Sequence, residues 1–453
     1  MQCFKAYDIR GRLGDELTPD IVRTIARAFA EELGARRVVL GHDPRASSEE
    51  LAAAAAEGLR AAGAEVLFLG LCGTEEMYFA TDHLGADAGI EVTASHNPMD
   101  YNGMKLVGPR AKPLSAPVFA AVRARAEAGA FGAAGQGVLT PVDTRTEYVA
   151  RVMSFVDVTA LRPLRVVVNA GNGAAGPTFD ALAAALAAAG APLEFIRLHH
   201  APDGRFPNGI PNPLLPENQP VTAEAVRTHG ADLGVAWDGD FDRCFLFDET
   251  GAFVAGEYVV GLLAEVFLAK EPGASIVHDP RVIWNTQDVV ARAGGRAVMA
   301  PTGHAYLKAA MREHGAVYGG EMSAHHYFRD FMCCDSGMIP WLLVAELMGR
   351  TGPSLSQLLA ARRAAYPSSG EVNFKVADTK KIIAKIAYSY GAQAEDVDHL
   401  DGHSFDMGAW RFNLRASNTE PLLRLNVEAR ADLGGDAALV ALKVDELSAF
   451  IAG

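Results

Sequence analysis

The sequence predicts an α/β protein: three related α/β domains followed by a C-terminal domain of α+β type. Three features carry that expectation. The tetrapeptide His-Asp-Pro-Arg occurs twice, at 42–45 and at 278–281, each time following a short apolar run, Val38-Val39-Leu40 or Ile276-Val277. Each copy is followed by a helical stretch and then a second apolar strand, 64–69 in the first case and 296–299 in the second. A third unit repeats the rhythm with the strand 164–168, an Ala-rich helix from about Pro177 and the strand 193–196. Near-continuous apolar strands alternating with helices are the pattern of buried parallel β-structure. Recurrence of such a unit is a mark of duplication.

The last 85 or so residues differ. They hold a helical stretch near 379–390 and two alternating strands, 410–415 and 422–427, an α+β pattern. The Gly/Ala-rich stretch 129–137, the turn Asp248-Glu249-Thr250-Gly251 and the region 366–370 read as linkers. The domains expected are therefore 1–138, 139–247, 248–366 and 367–453.

At 49% hydrophobic and 21% charged, the 453-residue chain has an ordinary globular composition. Its net charge of −14 argues against nucleic acid and anionic membrane as general partners. An anionic substrate would need local clusters of Arg and Lys working against that field. Cys3, Cys72, Cys244, Cys333 and Cys334 form no CxxC pair, which fits reduced thiols in a cytoplasm. The N-terminal MQCFKAYDIR has no signal-peptide core, and no apolar run approaches the roughly 18 residues of a membrane helix. A cytoplasmic protein is expected.

Four segments can carry chemistry. Thr93-Ala94-Ser95-His96-Asn97-Pro98 places a hydroxyl on a loop after a strand, because Pro98 disfavours helix at Asn97 and Asn97 favours a turn. A serine is a weak nucleophile unless a base activates it or it carries a transferable group; a polar turn without chemistry is the plain alternative. Asp238-Gly239-Asp240-Phe241-Asp242-Arg243 crowds three carboxylates into five residues, which a hard cation would reconcile. Glu249 falls at the twelfth position of a Ca²⁺-binding EF-hand loop, but Arg243 stands where that loop needs Gly, and the flanks read as strands. Gly320-Glu321-Met322-Ser323-Ala324-His325-His326-Tyr327 joins an acid, a hydroxyl and two imidazoles, a set suited to sugar hydroxyls; Zn²⁺ would lack a third soft ligand at useful spacing. Arg415-Ala416-Ser417-Asn418-Thr419-Glu420-Pro421 offers a guanidinium and small donors for a phosphate. Gly171 to Gly176 has the GxGxxG form of a dinucleotide loop, yet Glu194 sits at the wrong end of its strand for a ribose-binding acid, and tight packing explains the glycines equally well.

Taken in order, these motifs resemble those of the α-D-phosphohexomutases, and within them the bacterial phosphomannomutase/phosphoglucomutase group. Phe4-Lys5-Ala6-Tyr7-Asp8-Ile9-Arg10-Gly11 is similar to that family's N-terminal motif, and the resemblance spans the whole chain. Cys72-Gly73-Thr74-Glu75-Glu76 stands where many members carry Pro-Thr-Pro, and resembles a phosphomannomutase subgroup of surface-polysaccharide pathways. The resemblance implies mixed sheets and four domains around a central cleft. It implies phosphorylation of Ser95, and one Mg²⁺ held by Asp238, Asp240, Asp242 and a phosphate oxygen on Ser95. It implies a hexose 1,6-bisphosphate intermediate and phosphosugar substrates of glucose or mannose type, with hexosamine phosphates as the alternative. Glu321 and Ser323 would hold sugar O3 and O4, and His325 would help fix the substrate. Arg415, Ser417, Asn418 and Thr419 would grip the non-transferring phosphate, and Tyr7 and Arg10 would line the entrance. Arg243 would contact sugar or phosphate. His96, Lys105 and His304 are the acid/base candidates, unranked. Arg281 stands where relatives often have Lys and is expected to position rather than to titrate. A monomer or weak dimer is expected. A calcium-binding protein without catalysis and an enzyme using NAD at 171–176 are the readings from other classes.

Overall fold

The computed structural model describes residues 1–416 and 422–452. They divide into two compact units, Met1–Phe253 with His325–Gly352, and Val254–Ala324 with Pro353–Gly453.

The first unit holds two sheets. In one, the strands run in the order Ile9–Arg12, Tyr101–Val107, Ala88–Val92, Arg37–His42, Glu65–Leu71 and Leu139–Pro141. Arg37–His42 pairs in parallel with both Ala88–Val92 and Glu65–Leu71, while Tyr101–Val107 runs antiparallel to both its neighbours. The sheet is therefore mixed, and its last strand extends three residues beyond the limit at 138 drawn from composition. Its centre is fully buried, with Val38, Leu40, Val66, Ile90 and Val92 packed under Ala-rich helices. That is why these strands read as unbroken apolar runs.

The second sheet has Leu164–Asn169 parallel to Leu193–Leu198 and Leu233–Trp237, and Cys244–Phe247 antiparallel to the last of these. The sequence read Asp248–Gly251 as a linker. It is instead a tight turn within this sheet, leading from Cys244–Phe247 to Phe253–Val254. Asp248 Oδ1 accepts from the amides of Thr250 and Ala252, and Gly251 takes φ 78°. The helix Ile339–Thr351 packs in this unit. Trp341 lies 6.1 Å from the Phe179 ring and 6.0 Å from Phe195, and Trp237 Nε1 donates to the Gly337 carbonyl at 2.8 Å.

In the second unit Ser275–His278 pairs in parallel with Arg296–Met299 and Tyr318–Gly320. The C-terminal sheet is wholly antiparallel, in the order Ser368–Lys375, Leu422–Ala429, Trp410–Ala416, His403–Asp406, Asp396–Asp398. Phe405, Phe412, Leu414, Leu425 and Val427 form its core against the helices Thr379–Tyr390 and Ala437–Ala452. The 366–370 stretch, read as a linker, already opens the first of these strands. Among the described residues no helix is long and apolar enough to cross a membrane.

One close approach sets the spacing of the first unit's helices. A Cβ added at Gly58, in the helix Ser48–Ala61, would lie 2.1 Å from the Arg23 carbonyl oxygen of the helix Pro19–Leu33. Gly→Ala gains up to about 1 kcal/mol of helix propensity. Forcing two packed backbones apart costs about 1–3 kcal/mol, and a backbone carbonyl cannot swing aside as a side chain can. Gly58→Ala should therefore be destabilising, by about 1–2 kcal/mol, read as an earlier midpoint of this unit's unfolding in urea.

Candidate active site

The serine loop leaves the strand Ala88–Val92 and turns back through Asn97 N–H to the Ala94 carbonyl, 2.9 Å. Ser95 sits in it with φ 49°, in the left-handed region. Its buried hydroxyl donates to Asp238 Oδ2 at 2.6 Å, lies 3.0 Å from His96 Nδ1, and accepts from Arg243 Nη2 at 3.3 Å. Arg10, on the first strand, donates to the Thr93 carbonyl at 3.0 Å. Tyr7 lies half-buried in the bend before that strand.

The aspartate loop connects the antiparallel strands Leu233–Trp237 and Cys244–Phe247. Strands on both sides remove the EF-hand reading, which requires helices. Asp238, Asp240 and Asp242 are all buried, and their ligand oxygens lie within 4.8 Å of one another. Lys105 donates to Asp240 at 2.7 Å and, closer still, to Asp242. Arg243 Nε donates to Asp238 at 2.8 Å, and His325 Nε2 stands 3.6 Å from Asp242 and 3.9 Å from Asp335. Thr74 donates to Asp240 Oδ2 at 2.6 Å.

These contacts move the titrations apart. Burial alone would raise all three carboxyls; Lys105 outweighs it at Asp240 and, with His325, holds Asp242 well below the usual carboxylate range. At Asp238 burial and its two acidic neighbours prevail over Arg243, and the carboxyl is pushed up. Burial pulls the Lys105 ammonium down, but Asp240 and Asp242 more than compensate and keep it charged. Burial, then Arg243, holds His96 well below the imidazole range, so its ring is a neutral acceptor for the Arg243 guanidinium beside it.

The cluster also suits a divalent metal. The donors are hard carboxylate oxygens, which suit Mg²⁺ or Ca²⁺ rather than soft metals. Among the described residues Asp240 Oδ1 is buried without a hydrogen-bond partner, an oxygen free to bind a cation. Asp238, Asp240 and Asp242, with Ser95 Oγ beside Asp238, are the residues that would hold it. Of the paired histidines, His325 joins Asp242 and Asp335 in a second group within 4.8 Å, whereas His326 is a core residue, its imidazole pushed down to about 3 by burial and by His325.

The second unit gathers another set. Arg281 is buried and donates to Asp279 at 2.8 Å and to Ser323 Oγ at 3.1 Å. It also pairs with Glu321 at 3.7 Å and Glu371 at 3.5 Å. Burial pulls its guanidinium down, but Asp279 first and then Glu371 and Glu321 hold it up, in keeping with a fixed cation. Glu321 accepts from the Gly303 amide at 2.8 Å, just before His304, which opens the helix His304–His314. Arg415 and Arg424 face each other across antiparallel strands, and both reach Glu371, at 3.6 and 3.4 Å. Ser417, Asn418 and Thr419 lie outside the described residues.

The structure brings Ser95, His96, Lys105, Asp238, Asp240, Asp242, Arg243 and His325 together in one unit, and Arg281, Glu321, Ser323 and Arg415 in the other. Thr74, Asp335, Glu371 and Arg424 were not singled out from sequence. Arg424 had a signal: like charges opposite one another on paired strands are costly and need an anion between them. The GxGxxG loop is packing. A Cβ at Gly173 would meet the Gly239 carbonyl at 2.7 Å, and Ala174 N–H donates to that same carbonyl at 2.9 Å, so the glycines let this loop support the aspartate loop. That close approach removes the reason to place a nicotinamide cofactor there.

Known proteins are similar to this chain along its length. Residues 1–133, 146–251 and 255–366 match the phosphoglucomutase/phosphomannomutase alpha/beta/alpha domains I, II and III, and 371–442 match the C-terminal domain of that family. The chain is 57% identical over 437 residues to a phosphomannomutase of Salmonella montevideo, with 96% of each chain covered. It is 55% identical over 456 residues to a Xanthomonas campestris pv. campestris protein named phosphohexose mutases, spanning 100% of both. The crystal structure of a phosphoglucomutase/phosphomannomutase family protein from Burkholderia thailandensis superposes with TM-score 0.87 at 34% identity, covering 99% of this chain and 97% of that one. On this sequence, fold and match along nearly its whole length, the chain belongs to the phosphoglucomutase/phosphomannomutase family.

Proposed function

We propose that the protein is a phosphohexomutase that interconverts the 1- and 6-phosphates of mannose and of glucose, with Ser95 as the phosphate carrier. The observation that carries the reading is the Ser95 hydroxyl, buried and 2.6 Å from Asp238 at the edge of a metal-competent carboxylate cluster, with Arg243 donating to the same oxygen. A serine that only carries phosphate needs no activating triad; it needs cations around the transferring group. Phosphosugar substrates agree with the names of the relatives and with the guanidinium cluster at Glu371 in the second unit.

The transfer balances simply. A sugar hydroxyl attacks the phosphorus on Ser95; the bond from phosphorus to Ser95 Oγ breaks and a bond to the sugar oxygen forms, giving a hexose 1,6-bisphosphate. The hydroxyl proton passes to a base, for which His96 and His304 are the candidates, and an equivalent proton reaches Oγ; Lys105, the third acid/base candidate, is held as an ammonium by Asp240 and Asp242 and can act only as a donor. The bisphosphate then presents its other end and returns that phosphoryl group to Ser95 by the reverse step. Asp238, Asp240 and Asp242 would hold Mg²⁺, which would supply neutralisation of the charge on the group in transfer. Arg243 orients Ser95 Oγ by donating to it and to the Asp238 oxygen that accepts from it, and Lys105 keeps Asp240 and Asp242 ionised. Glu321 and Ser323 bind sugar O3 and O4, and Arg415 the phosphate that stays. Those contacts leave O2 unread, which is why both epimers should be accepted.

A coupled assay with Mg²⁺ and a trace of hexose 1,6-bisphosphate, run on mannose 1-phosphate and glucose 1-phosphate, should show turnover of both. Ser95→Ala should show neither. A folded wild type inactive on both sugars would overturn the reading.

Metal should act on stability as well as rate. Chelation should abolish turnover and Mg²⁺ restore it. At a hundred times its Kd, Mg²⁺ should stabilise the protein by about 2.7 kcal/mol, seen as a rise in the first melting transition. Asp240→Asn should weaken that metal-dependent shift, shifting its midpoint to on the order of tenfold higher Mg²⁺ or more.

A further inference from the structure

The duplicated His-Asp-Pro-Arg turn has a shape of its own. In both copies the His Nδ1 meets the next residue's carbonyl, at 2.9 Å in His42–Asp43 and 2.8 Å in His278–Asp279. In both, the Arg backbone N–H donates to the Asp Oδ1 at 2.9 Å, Arg45 to Asp43 and Arg281 to Asp279. One carboxylate oxygen thus closes the turn. The other is spent on a loop elsewhere in the chain: Asp43 Oδ2 accepts from Thr93 Oγ1 at 2.7 Å, and Asp279 Oδ2 from the Met322 amide at 2.8 Å. The two arginines follow suit. Arg45 donates to the carbonyls of Ser95 (2.9 Å), Asn97 (2.5 Å), Pro98 (3.0 Å) and Tyr101 (3.2 Å), while Arg281 reaches Ser323.

We propose that this turn is a clamp for the loop that does chemistry, and that Arg45 and Thr93 are positioning residues for Ser95. The inference rests on Ser95 being the phosphate carrier. Thr93 Oγ1 accepts from the Ser95 amide at 2.8 Å, so Ser95 is tied to the first copy by its N–H through Thr93 and Asp43, and by its C=O through Arg45. It needs to be: φ 49° is a conformation that non-glycine residues hold only when their surroundings enforce it. Released, the backbone would relax towards negative φ and carry Oγ away from Asp238. The clamp demands Arg in particular. A planar fork with five donors can serve four carbonyls at fixed angles; a Lys ammonium has three donors on a flexible stem. Arg45 itself is 3% exposed, stacked 5.4 Å from the Phe206 ring, and touches carbonyls of the loop rather than the reacting oxygen.

The test compares Arg45→Lys, Thr93→Val and Arg281→Lys with wild type in the coupled mutase assay, alongside melting curves. Intact-mass measurement after mixing with hexose 1,6-bisphosphate follows phosphate arriving on Ser95. Arg45→Lys and Thr93→Val should lower kcat by about a hundredfold, the cost of misplacing a reacting atom by about 1 Å, leave KM within about threefold of wild type, and slow Ser95 phosphorylation in parallel. Arg281→Lys, at the second copy, should chiefly raise KM. A folded Arg45→Lys or Thr93→Val with wild-type kcat overturns the clamp. Equal losses in kcat and KM at both copies, or failure of both first-copy variants to fold, would make these residues general supports and also overturn it. If Arg45→Lys alone fails to fold, Thr93→Val decides. An inactive wild type would sink the phosphoserine reading itself, an outcome distinct from an active wild type with an unaffected Arg45→Lys.

Discussion

Three buried carboxylates within 4.8 Å of one another are the constraint that the first unit is built to satisfy. Like charges at that distance, away from water, repel strongly, and a buried charge left without a partner is severely destabilising. The chain answers from separate segments: the cations Lys105, from the strand Tyr101–Val107, and Arg243, from the aspartate loop itself, and the His325 imidazole, from far along the sequence, 3.6 Å from Asp242. Each answer also has a second effect. Arg243 reaches Ser95 Oγ, and Lys105 keeps Asp240 and Asp242 ionised. Charge compensation and the arrangement of Ser95 and the aspartates are therefore one network, and a change to either is felt by both.

The sheets place these groups by a simple rule. Loops at the C-terminal ends of parallel strands converge where strand order permits. In the first unit the 43–45 turn follows Arg37–His42, the serine loop follows Ala88–Val92, the glycine loop follows Leu164–Asn169 and the aspartate loop follows Leu233–Trp237. In the second, Asp279 and Arg281 follow Ser275–His278, Gly303 follows Arg296–Met299, and Glu321 to Ser323 follow Tyr318–Gly320. A duplicated strand-helix-strand unit thus delivers the same kind of loop to the same end of its sheet each time.

This also explains what the sequence made legible. Parallel strands buried on both faces appear as apolar runs, and loops that carry charge at their ends appear as short dense motifs, so the α/β units, Ser95 and the three aspartates stood out. The residues that were missed act through partners far away in sequence. Thr74 looks like an ordinary helix-start residue until Asp240, 166 positions later, is seen to accept its hydroxyl proton. Arg45 was visible as half of a repeat, but nothing local says that its fork ends on four carbonyls some 50 residues on. Asp248 misled in the opposite direction. A polar Gly-containing turn has the same composition whether it joins two domains or two strands of one sheet, and only the pairing partner distinguishes them.

In an acidic chain positive charge can be concentrated only locally, and the second unit shows how. Arg281, Arg415 and Arg424 all lie within 3.6 Å of the single carboxylate of Glu371. Arg415 and Arg424 are direct cross-strand partners, an arrangement that costs energy unless an anion lies between them. Burial, and then Arg281, pulls the Arg415 guanidinium down, while Asp401 and Glu371 hold it up. Asp401, 4.0 Å from Arg415, eases the crowding without removing it. Glu371 joins the three guanidiniums, and Asp279 and Glu321 also pair with Arg281 and Asp401 with Arg415, so positive charge is concentrated here, each cation beside a carboxylate, within a chain whose net charge is −14.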